Sequence, residues 1–216
     1  MASTSTRMLL LGAVQLFEPV NGYQIRRELI SWRVDEWAHI NPGSIYSGLE
    51  TLARAGHLER HALLEGSRTV SVYTTTDAGR AEFQRLFAEA VRTHDRGSAR
   101  GFTTALSLQP LVARDVFVGL LRERLVAVDK VLAEGRSLAT SAAAEHLPPH
   151  LPALIDLWIA HAETERAWLV ARILSVEAGG GVFAGEPSDW APPADDPGWV
   201  MNDERERYRR ALGLRD

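Results

Sequence analysis

Ser44, Ser47 and Thr51 recur at intervals of three and four residues, which is the spacing of one face of an α-helix. Small hydroxyl side chains let a helix approach the DNA major groove closely and can contact bases or phosphates. Gly48 is predicted to lie on the same outward face. The opposite face is apolar and is predicted to be buried through Ile45, Leu49 and Leu52. These spacings therefore indicate a helix that packs on one side and presents small hydroxyl side chains on the other.

Basic, amide and aromatic side chains around this helix add candidates for contact with the DNA backbone. Arg54 lies at the far end of the helix, where a phosphate contact is expected rather than a base contact. Tyr46 has two interpretations, packing alone or packing with its hydroxyl on a phosphate. For Ser67 and Arg68 the alternative is a solvated turn. For Gln24, Arg26 and Arg27, near the start of the preceding predicted helix, the alternative is a surface role without DNA contact. The complete predicted set of DNA-contacting residues is Gln24, Arg26, Arg27, Asn41, Ser44, Tyr46, Ser47, Thr51, Arg54, Ser67 and Arg68.

Local boundary signals define the elements that would position these residues. Asn41 can cap a helix over residues 42–55, Pro42 suits its first position, and Gly56 can end it. Two β-rich runs, 57–64 and 69–75, flank a turn with Ser67 and Arg68 at its tip. A capped helix followed by a hairpin with a basic tip is typical of a winged helix-turn-helix, in which the helix enters a DNA groove.

The remaining periodicity predicts a mainly α-helical chain with two domains and an extension. We expect a DNA-binding domain over 7–95, with helices at 7–17, 22–33 and 77–94, after a disordered tail at 1–6. In the second helix, Tyr23 and Ile30 are predicted to be inward and Gln24 outward. A hinge at 96–101 leads to a helical domain over 102–178, built as an antiparallel hairpin of helices at 110–134 and 151–178. Residues 179–216 are predicted to be irregular, with a short charged helix at 203–212.

The two long helices carry more apolar surface than one hairpin can cover, so a second copy of the chain is the expected partner. The predicted dimerisation residues are Leu121, Leu125, Leu154, Trp158 and Leu169. Aromatic residues at such a seam could also hold a flat ligand, and ordinary packing is the alternative. The candidate ligand residues are Trp158, His161, Glu165 and Trp168.

Composition narrows the class of protein. The chain has 216 residues, a formal net charge of −4, a pI near 6.0 and no cysteine, which fits a reducing cytoplasm and excludes disulfides and thiolate metal sites. No apolar run is long enough to predict a membrane span. The pairs His57/His61 and His146/His150 are spaced four apart, but incidental surface histidines explain them better than a metal site. No catalytic motif or cofactor site is predicted, so an enzyme is not expected.

The stretch SIYSGLETLARAGHL followed by EGSRTVSVYTTTDAGR resembles the PadR family of bacterial transcriptional regulators. The resemblance rests on Tyr46, the run Leu49 to Gly56, Arg68, and the run Tyr73 to Gly79. The segments Leu10-Leu11-Gly12 and Gly22-Tyr23-Gln24-Ile25 also look like the family's first two helices. Residues 102–178 are similar to the longer dimerisation region of its virulence-activator branch, whereas the extension after Gly181 departs from the family. The resemblance implies a homodimer that binds an inverted-repeat operator as a repressor, and a small aromatic effector.

A second hypothesis comes from a different class of function. The chain has a negative net charge, and the predicted reading helix has few long side chains. Both features would suit a protein-interaction adaptor that keeps the winged fold without touching DNA. Binding to the DNA beside the protein's own gene, measured at two salt concentrations, discriminates the two.

Overall fold

The computed structural model describes residues 3–38, 40–94, 99–140, 147–188, 191–196 and 198–214. Residues 3–94, which we call the head, contain these elements: α1 (Thr4–Phe17), β1 (Val20–Asn21), α2 (Gly22–Ser31), α3 (Val34–Trp37), α4 (Pro42–Arg54), β2 (Leu58–Glu65), β3 (Arg68–Thr75) and α5 (Asp77–Arg92). The remaining elements are α6 (Arg100–Ser107), a 3₁₀ turn (Gln109–Leu111), α7 (Arg114–Thr140), α8 (Leu151–Glu177) and α9 (Gly198–Leu212).

The head is organised around α1, whose seven consecutive residues from Met8 to Val14 are buried. A helix that is apolar on all sides must be covered on all sides, and α1 is packed by α2, α4, α5, α6 and β3. The predicted start at residue 7 is wrong, because Ser3 caps α1 by accepting from the Thr6 amide, so residues 4–6 are helical. The cap provides the acceptor that the first helical turn lacks.

A small antiparallel sheet flanks α4, with strand order β1-β3-β2. The hairpin of β2 and β3, which we call the wing, runs in register from the pair Leu58–Thr75 to the pair Glu65–Arg68. Both predicted strands are confirmed within one residue. The third strand, β1, was not predicted, and it pairs Val20 with Tyr73. This short strand joins the start of α2 to the base of the wing.

The predicted starts of α4 and α5 are confirmed by their caps, whereas α5 ends at Arg92, two residues before its predicted end. The Asn41 side chain accepts from the Gly43 amide at 2.8 Å, and Thr76 accepts from the Gly79 amide at 3.0 Å. Thr76 also donates to the Gly56 carbonyl, which ties the end of α4 to the start of α5. These contacts use short-range polar groups, which explains why sequence signals located them.

Beyond the head, α7 and α8 pack against each other along their length and form the helical hairpin. Its inner face includes Leu121, Val128, Ala162, Leu169 and Ile173. The prediction placed the start of α7 at Pro110 and omitted α6; instead, α6 and a 3₁₀ turn occupy this region and α7 starts at Arg114. Half of the predicted hinge, residues 96–98, lies outside the described residues.

Arg124 joins the hairpin to the head. This side chain is 2% exposed, its Nε donates to Glu165 Oε1 at 2.5 Å, and its Nη1 donates to the carbonyls of Val91 and Thr93 at the end of α5. Its guanidinium also lies 3.9 Å from the Phe102 ring centroid. A buried charge is tolerated only when it is paired and hydrogen-bonded, and these contacts meet that requirement.

Candidate nucleic-acid interface

The exposed face of α4 carries the predicted hydroxyl residues. Ser44, Ser47 and Thr51 are all exposed, whereas Ile45 and Leu49 are fully buried. Gly48 is the exception, because it is buried against α1 and an added Cβ would lie 2.4 Å from Leu10 Cδ1. The prediction of an outward Gly48 is therefore wrong. This glycine allows α4 to pack closely on α1, which sets how far the reading face projects.

The hydroxyl groups on α4 already donate within the helix. Ser44 Oγ donates to the Asn41 carbonyl at 2.7 Å, Ser47 Oγ to the Ser44 carbonyl at 3.0 Å, and Thr51 Oγ1 to the Ser47 carbonyl at 2.7 Å. In this state each hydroxyl offers only lone pairs to an incoming ligand. Acceptors suit the amino groups of adenine and cytosine in the major groove, whereas contact with a phosphate requires the hydroxyl to rotate.

Basic groups flank this face. Arg54 is exposed at the end of α4, with Nη2 3.4 Å from Thr51 Oγ1. Arg68 is exposed at the first position of β3, beside the exposed turn residue Ser67. At the start of the head's second helix, Arg26 and Arg27 are half-buried, and Arg27 pairs with Glu28 at 3.1 Å. The structure therefore places Arg54 at one end of the hydroxyl face and Arg68 at the tip of the wing.

Gln24 is not part of the exposed surface, which contradicts its predicted role as a phosphate contact. Gln24 is 1% exposed. Its side-chain Oε1 accepts from the backbone amide of Asn21, and its backbone amide donates to Asn21 Oδ1. This is a capping box. The sequence contained the signal, because an asparagine followed three residues later by glutamine at a helix start is the motif's pattern.

Tyr23 and Ile30 were predicted to be inward, yet both are exposed. Tyr23 lines a cleft of about 420 Å³ at the junction of α2, α4 and the wing. Tyr46 lines the same cleft, and its ring packs so closely on Gly22 that an added Cβ there would lie 2.9 Å from Cε1. Tyr46 is 44% exposed, so packing and a contact with an external group are both open to it.

The cleft also has acidic walls, formed by Glu50, Glu65 and Glu204. Burial raises the pKa of Tyr73, which lines the cleft from β3, and the nearby charge of Glu50 acts in the same direction. Glu204 belongs to α9, which sequence reasoning did not connect to the head. The available signal was the spacing of Met201 and Tyr208, two apolar positions seven residues apart in a charged helix.

The predicted dimerisation residues separate into two groups. Leu121 and Leu169 are fully buried inside the chain, so their predicted role at a dimer seam is wrong. They pack within the helical hairpin because each of its two helices turns one face toward the other. Leu125 and Trp158 are half-buried, and Leu154 is 37% exposed.

The four candidate ligand residues are not brought together. Glu165 is bonded to Arg124, and Trp168 packs edge-on against Phe102 at a centroid distance of 5.7 Å. His161 is exposed, while Trp158 lines a small cleft of about 200 Å³ between α7 and α8, together with apolar residues such as Ile155. A joint site formed by these four side chains is therefore contradicted by the geometry.

Among the described residues, no group of three or more His, Cys, Asp or Glu is positioned to bind a metal ion. His61 Nε2 lies 2.9 Å from Thr74 Oγ1, and His146 lies outside the described residues. No helix in the described part of the chain is long and apolar enough to cross a membrane.

Comparison with known proteins identifies the head. Residues 10–85 match the model of the transcriptional regulator PadR-like family. Over these residues the head is similar to the PadR-like family. The matched family is one of transcriptional regulators and not of enzymes, and the match runs from Leu10, within α1, to Arg85, within α5. The curated proteins include no match to the chain.

Three solved structures, two of which are described as PadR or PadR-like, resemble the chain at low sequence identity. Bacillus subtilis PadR in complex with operator DNA is 16% identical, with a TM-score of 0.34 over 79% of this chain and 98% of that one. The protein smu.1604c from Streptococcus mutans UA159 is 19% identical, with a TM-score of 0.35 over 78% and 98%. The PadR-like regulator BC1756 from Bacillus cereus is 16% identical, with a TM-score of 0.33 over 81% and 97%. The PadR-like assignment rests on the family match over residues 10–85.

Proposed function

We propose that the protein is a sequence-specific, DNA-binding transcriptional regulator that acts as a homodimeric repressor on an inverted repeat in the cytoplasm. The observation that carries the proposal is the exposed hydroxyl face of α4 in a PadR-like head, with Arg54 at its end and Arg68 at the wing tip. The hydroxyls would read base edges, and the arginines would bind phosphates and fix the register. A PadR bound to operator DNA is one of the structures the chain resembles.

The dimer in this proposal uses the outward face of α8. Residues at alternating intervals of four and three form a stripe that follows a heptad pattern and is exposed throughout. We call this stripe the α8 outer face; it comprises Ala153, Leu157, Ala160, Thr164, Ala167, Ala171 and Leu174. It contains no charged residue, although it is exposed over the length of a 27-residue helix. Small residues at this spacing let two helices approach closely, so a second copy of α8 is the partner we propose.

The cleft beside Trp158 is the site that we propose for a small aromatic effector. Its walls are mostly apolar, and Ile159 and Leu138 contribute alongside Trp158. A flat apolar molecule would bury its faces there, between α7 and α8, and could shift these two helices and thereby alter how the two heads are spaced. Quenching of tryptophan fluorescence by candidate aromatic compounds, compared between the wild type and Trp158→Phe, tests this part separately.

DNA binding is tested by titrating the protein with the DNA beside its own gene and with a mixed-sequence duplex, each at two salt concentrations. Specific binding should exceed non-specific binding by about a thousandfold or more. Arg68→Ala should weaken binding to both duplexes alike and reduce the salt slope by about 0.9 per lost phosphate contact, or about 1.8 per dimer. Arg122→Ala is the control, because Arg122 is an exposed arginine on α7 that pairs with Glu177.

The adaptor hypothesis remains the second candidate, because the acidic cleft walls of Glu50, Glu65 and Glu204 repel phosphates. An adaptor would bind neither duplex at either salt concentration. An unchanged salt slope in Arg68→Ala would remove Arg68 from the proposed DNA contact.

A further inference from the structure

The last described helix, α9, docks on the head. Its Met201 and Tyr208 are buried, and since they are seven residues apart they lie on one face of the helix. Seven of its other thirteen residues are charged, and four of these seven are exposed, including Asp203 and Glu206. The predicted irregular extension therefore ends in a helix that starts at Gly198, five residues earlier than expected, and that has a defined inner face.

Specific polar contacts fix α9 in place. Gln24 Nε2 donates to Glu204 Oε2 at 2.6 Å, and Arg205 Nε donates to the Glu18 carbonyl at 2.7 Å. Tyr208 donates its hydroxyl hydrogen to Glu65 Oε1 at 2.5 Å and accepts from Asn21 Nδ2 at 2.9 Å. Through these contacts α9 touches the start of α2 and the side of the wing together.

The phenol of Tyr208 is a stable donor in this position. Burial, followed by the hydrogen bond to Glu65, raises the pKa of Tyr208 to about 12. The hydroxyl therefore stays protonated at neutral pH and can hold the Glu65 carboxylate at the wing.

The location of Glu204 matters because the first turn of α2 is a preferred place for an anion. The amide groups of a helix N-terminus lack intrahelical partners and carry partial positive charge, so phosphates and carboxylates favour this end. Glu204 brings a carboxylate to this turn through Gln24, and it lines the same cleft as Tyr23 and Tyr46. A DNA backbone that follows α4 and the wing would pass this cleft.

We propose that α9 is an autoinhibitory helix that competes with DNA for the start of α2 and the side of the wing. This inference rests on the proposed DNA-binding function. In the docked state, Glu204 supplies the negative charge that a phosphate would otherwise bring, and Tyr208 holds the wing to α9. DNA binds tightly only when α9 is displaced, so any ligand or protein that captures the free helix would increase DNA occupancy.

The segment between α8 and α9 is attached to α7, and the point where this attachment ends shows where α9 can separate from the rest of the chain. Phe183 is 2% exposed and packs against Phe117 with a centroid distance of 5.6 Å. Glu186 accepts two hydrogen bonds from Arg114, at 2.7 and 2.6 Å. The chain is thus attached to α7 as far as Glu186, and α9 can leave the head without disturbing the helical hairpin.

The test compares full-length variants in the DNA titration with a mixed-sequence duplex. Glu204→Gln should raise the association constant roughly three- to tenfold, because it removes a carboxylate from the phosphate path. Tyr208→Phe should change affinity in the same direction. Glu206→Gln is the matched control, because it removes the same charge from an exposed position of the same helix, and it should change affinity less than about twofold.

Hydrogen exchange supplies a readout that does not depend on affinity. Addition of duplex to the wild type should accelerate amide exchange across residues 198–212, since DNA displaces the helix. The inference is overturned if the two variants match Glu206→Gln, if they bind more weakly, or if exchange in α9 stays constant or slows on DNA binding. Weaker binding would identify α9 as a support for the wing. Absence of DNA binding by every chain, wild type included, would instead overturn the proposed function and this inference with it.

Discussion

The head and the helical hairpin complete their packing in different ways. In the head, α1 is covered on all sides by elements of the same chain, and the close approach of α4 to α1 depends on Gly48. In the hairpin, α8 buries one face against α7 and leaves the α8 outer face exposed. The head therefore has its full hydrophobic core within one chain, whereas the hairpin carries exposed apolar surface suited to a partner. Changes in the head should therefore alter stability, and changes on the α8 outer face should alter assembly.

The largest expected effect is at Gly79, where the head tolerates no side chain. An added Cβ would lie 1.9 Å from the His57 carbonyl oxygen, which is a backbone atom and cannot turn aside as the end of a flexible side chain can. Gly79→Ala should reduce the free energy of unfolding by more than about 4 kcal/mol, which urea denaturation or loss of soluble protein would reveal. Gly119→Ala is the control, because an added Cβ in α7 meets nothing within 4 Å and should stabilise the helix by about 0.5–1 kcal/mol. Equal effects of the two substitutions would contradict the close packing of the head.

The next effect concerns the junction between the two regions. Arg124→Met should reduce the free energy of unfolding by about 3 kcal/mol, because it removes the hydrogen bonds from Arg124 to Glu165 Oε1 and to two carbonyls at the end of α5. Arg122→Met, two residues earlier on the exposed side of α7, should cost less than about 1 kcal/mol. Urea denaturation of both variants gives the comparison. A small loss in Arg124→Met would show that the junction does not depend on this cation.

On the hairpin, a charge placed on the α8 outer face should change assembly without changing the fold. Ala167→Glu should weaken the dimer at least about tenfold, because it buries an unpaired carboxylate at the seam. Ala133→Glu is the matched control on an exposed position of α7. Light scattering over a range of protein concentrations measures the dissociation, while circular dichroism should stay constant. A wild-type chain that is monomeric at every concentration would remove the distinction between the two regions.

The smallest expected effect is the pH dependence of the head's stability that arises from Glu82. The hydrogen bond from Arg85, helped by the charges of Arg85 and Arg7, lowers the pKa of Glu82 below its usual value. A depressed pKa contributes stability that is present above the unfolded-state pKa and is lost as the pH falls through the folded-state pKa. Glu82→Gln should therefore be less stable than the wild type at neutral pH. The difference in stability between the two proteins should become smaller as the pH falls below about 4. Thermal unfolding from pH 7 to pH 3 tests this, and a constant gap would contradict it.

The two regions also differ in how much of them the sequence could predict. The bounds of α4 and the wing followed from Asn41, Gly56 and the turn at Ser67, which are local signals that packing did not override. In α8, apolar residues lie on every side, so periodicity alone could not show whether Leu169 faces α7 or a second chain. Its burial inside the chain depends on how the two helices are rotated, which is tertiary information.

Within the candidate interface, side-chain type was predictable and side-chain environment was less so. The outward hydroxyls of α4 followed directly from helical spacing. Gln24 was placed outward because its polarity outweighed the capping pattern, although that pattern was present in the sequence. The contact of Glu204 with Gln24 joins residues 180 positions apart, and no local signal carries that information.

Footprinting of the DNA beside the protein's own gene tests the central claim, that α4 reads DNA from a two-headed assembly, most directly. The wild type should protect an inverted repeat whose half-site centres lie about 34–36 Å apart or a multiple of that distance. Ser44→Glu, which adds a negative charge to the exposed face of α4, should abolish the footprint. Ser137→Glu, which adds the same charge to an exposed position of α7, should retain it. Protection without dyad symmetry, or an unchanged footprint with Ser44→Glu, would contradict the account.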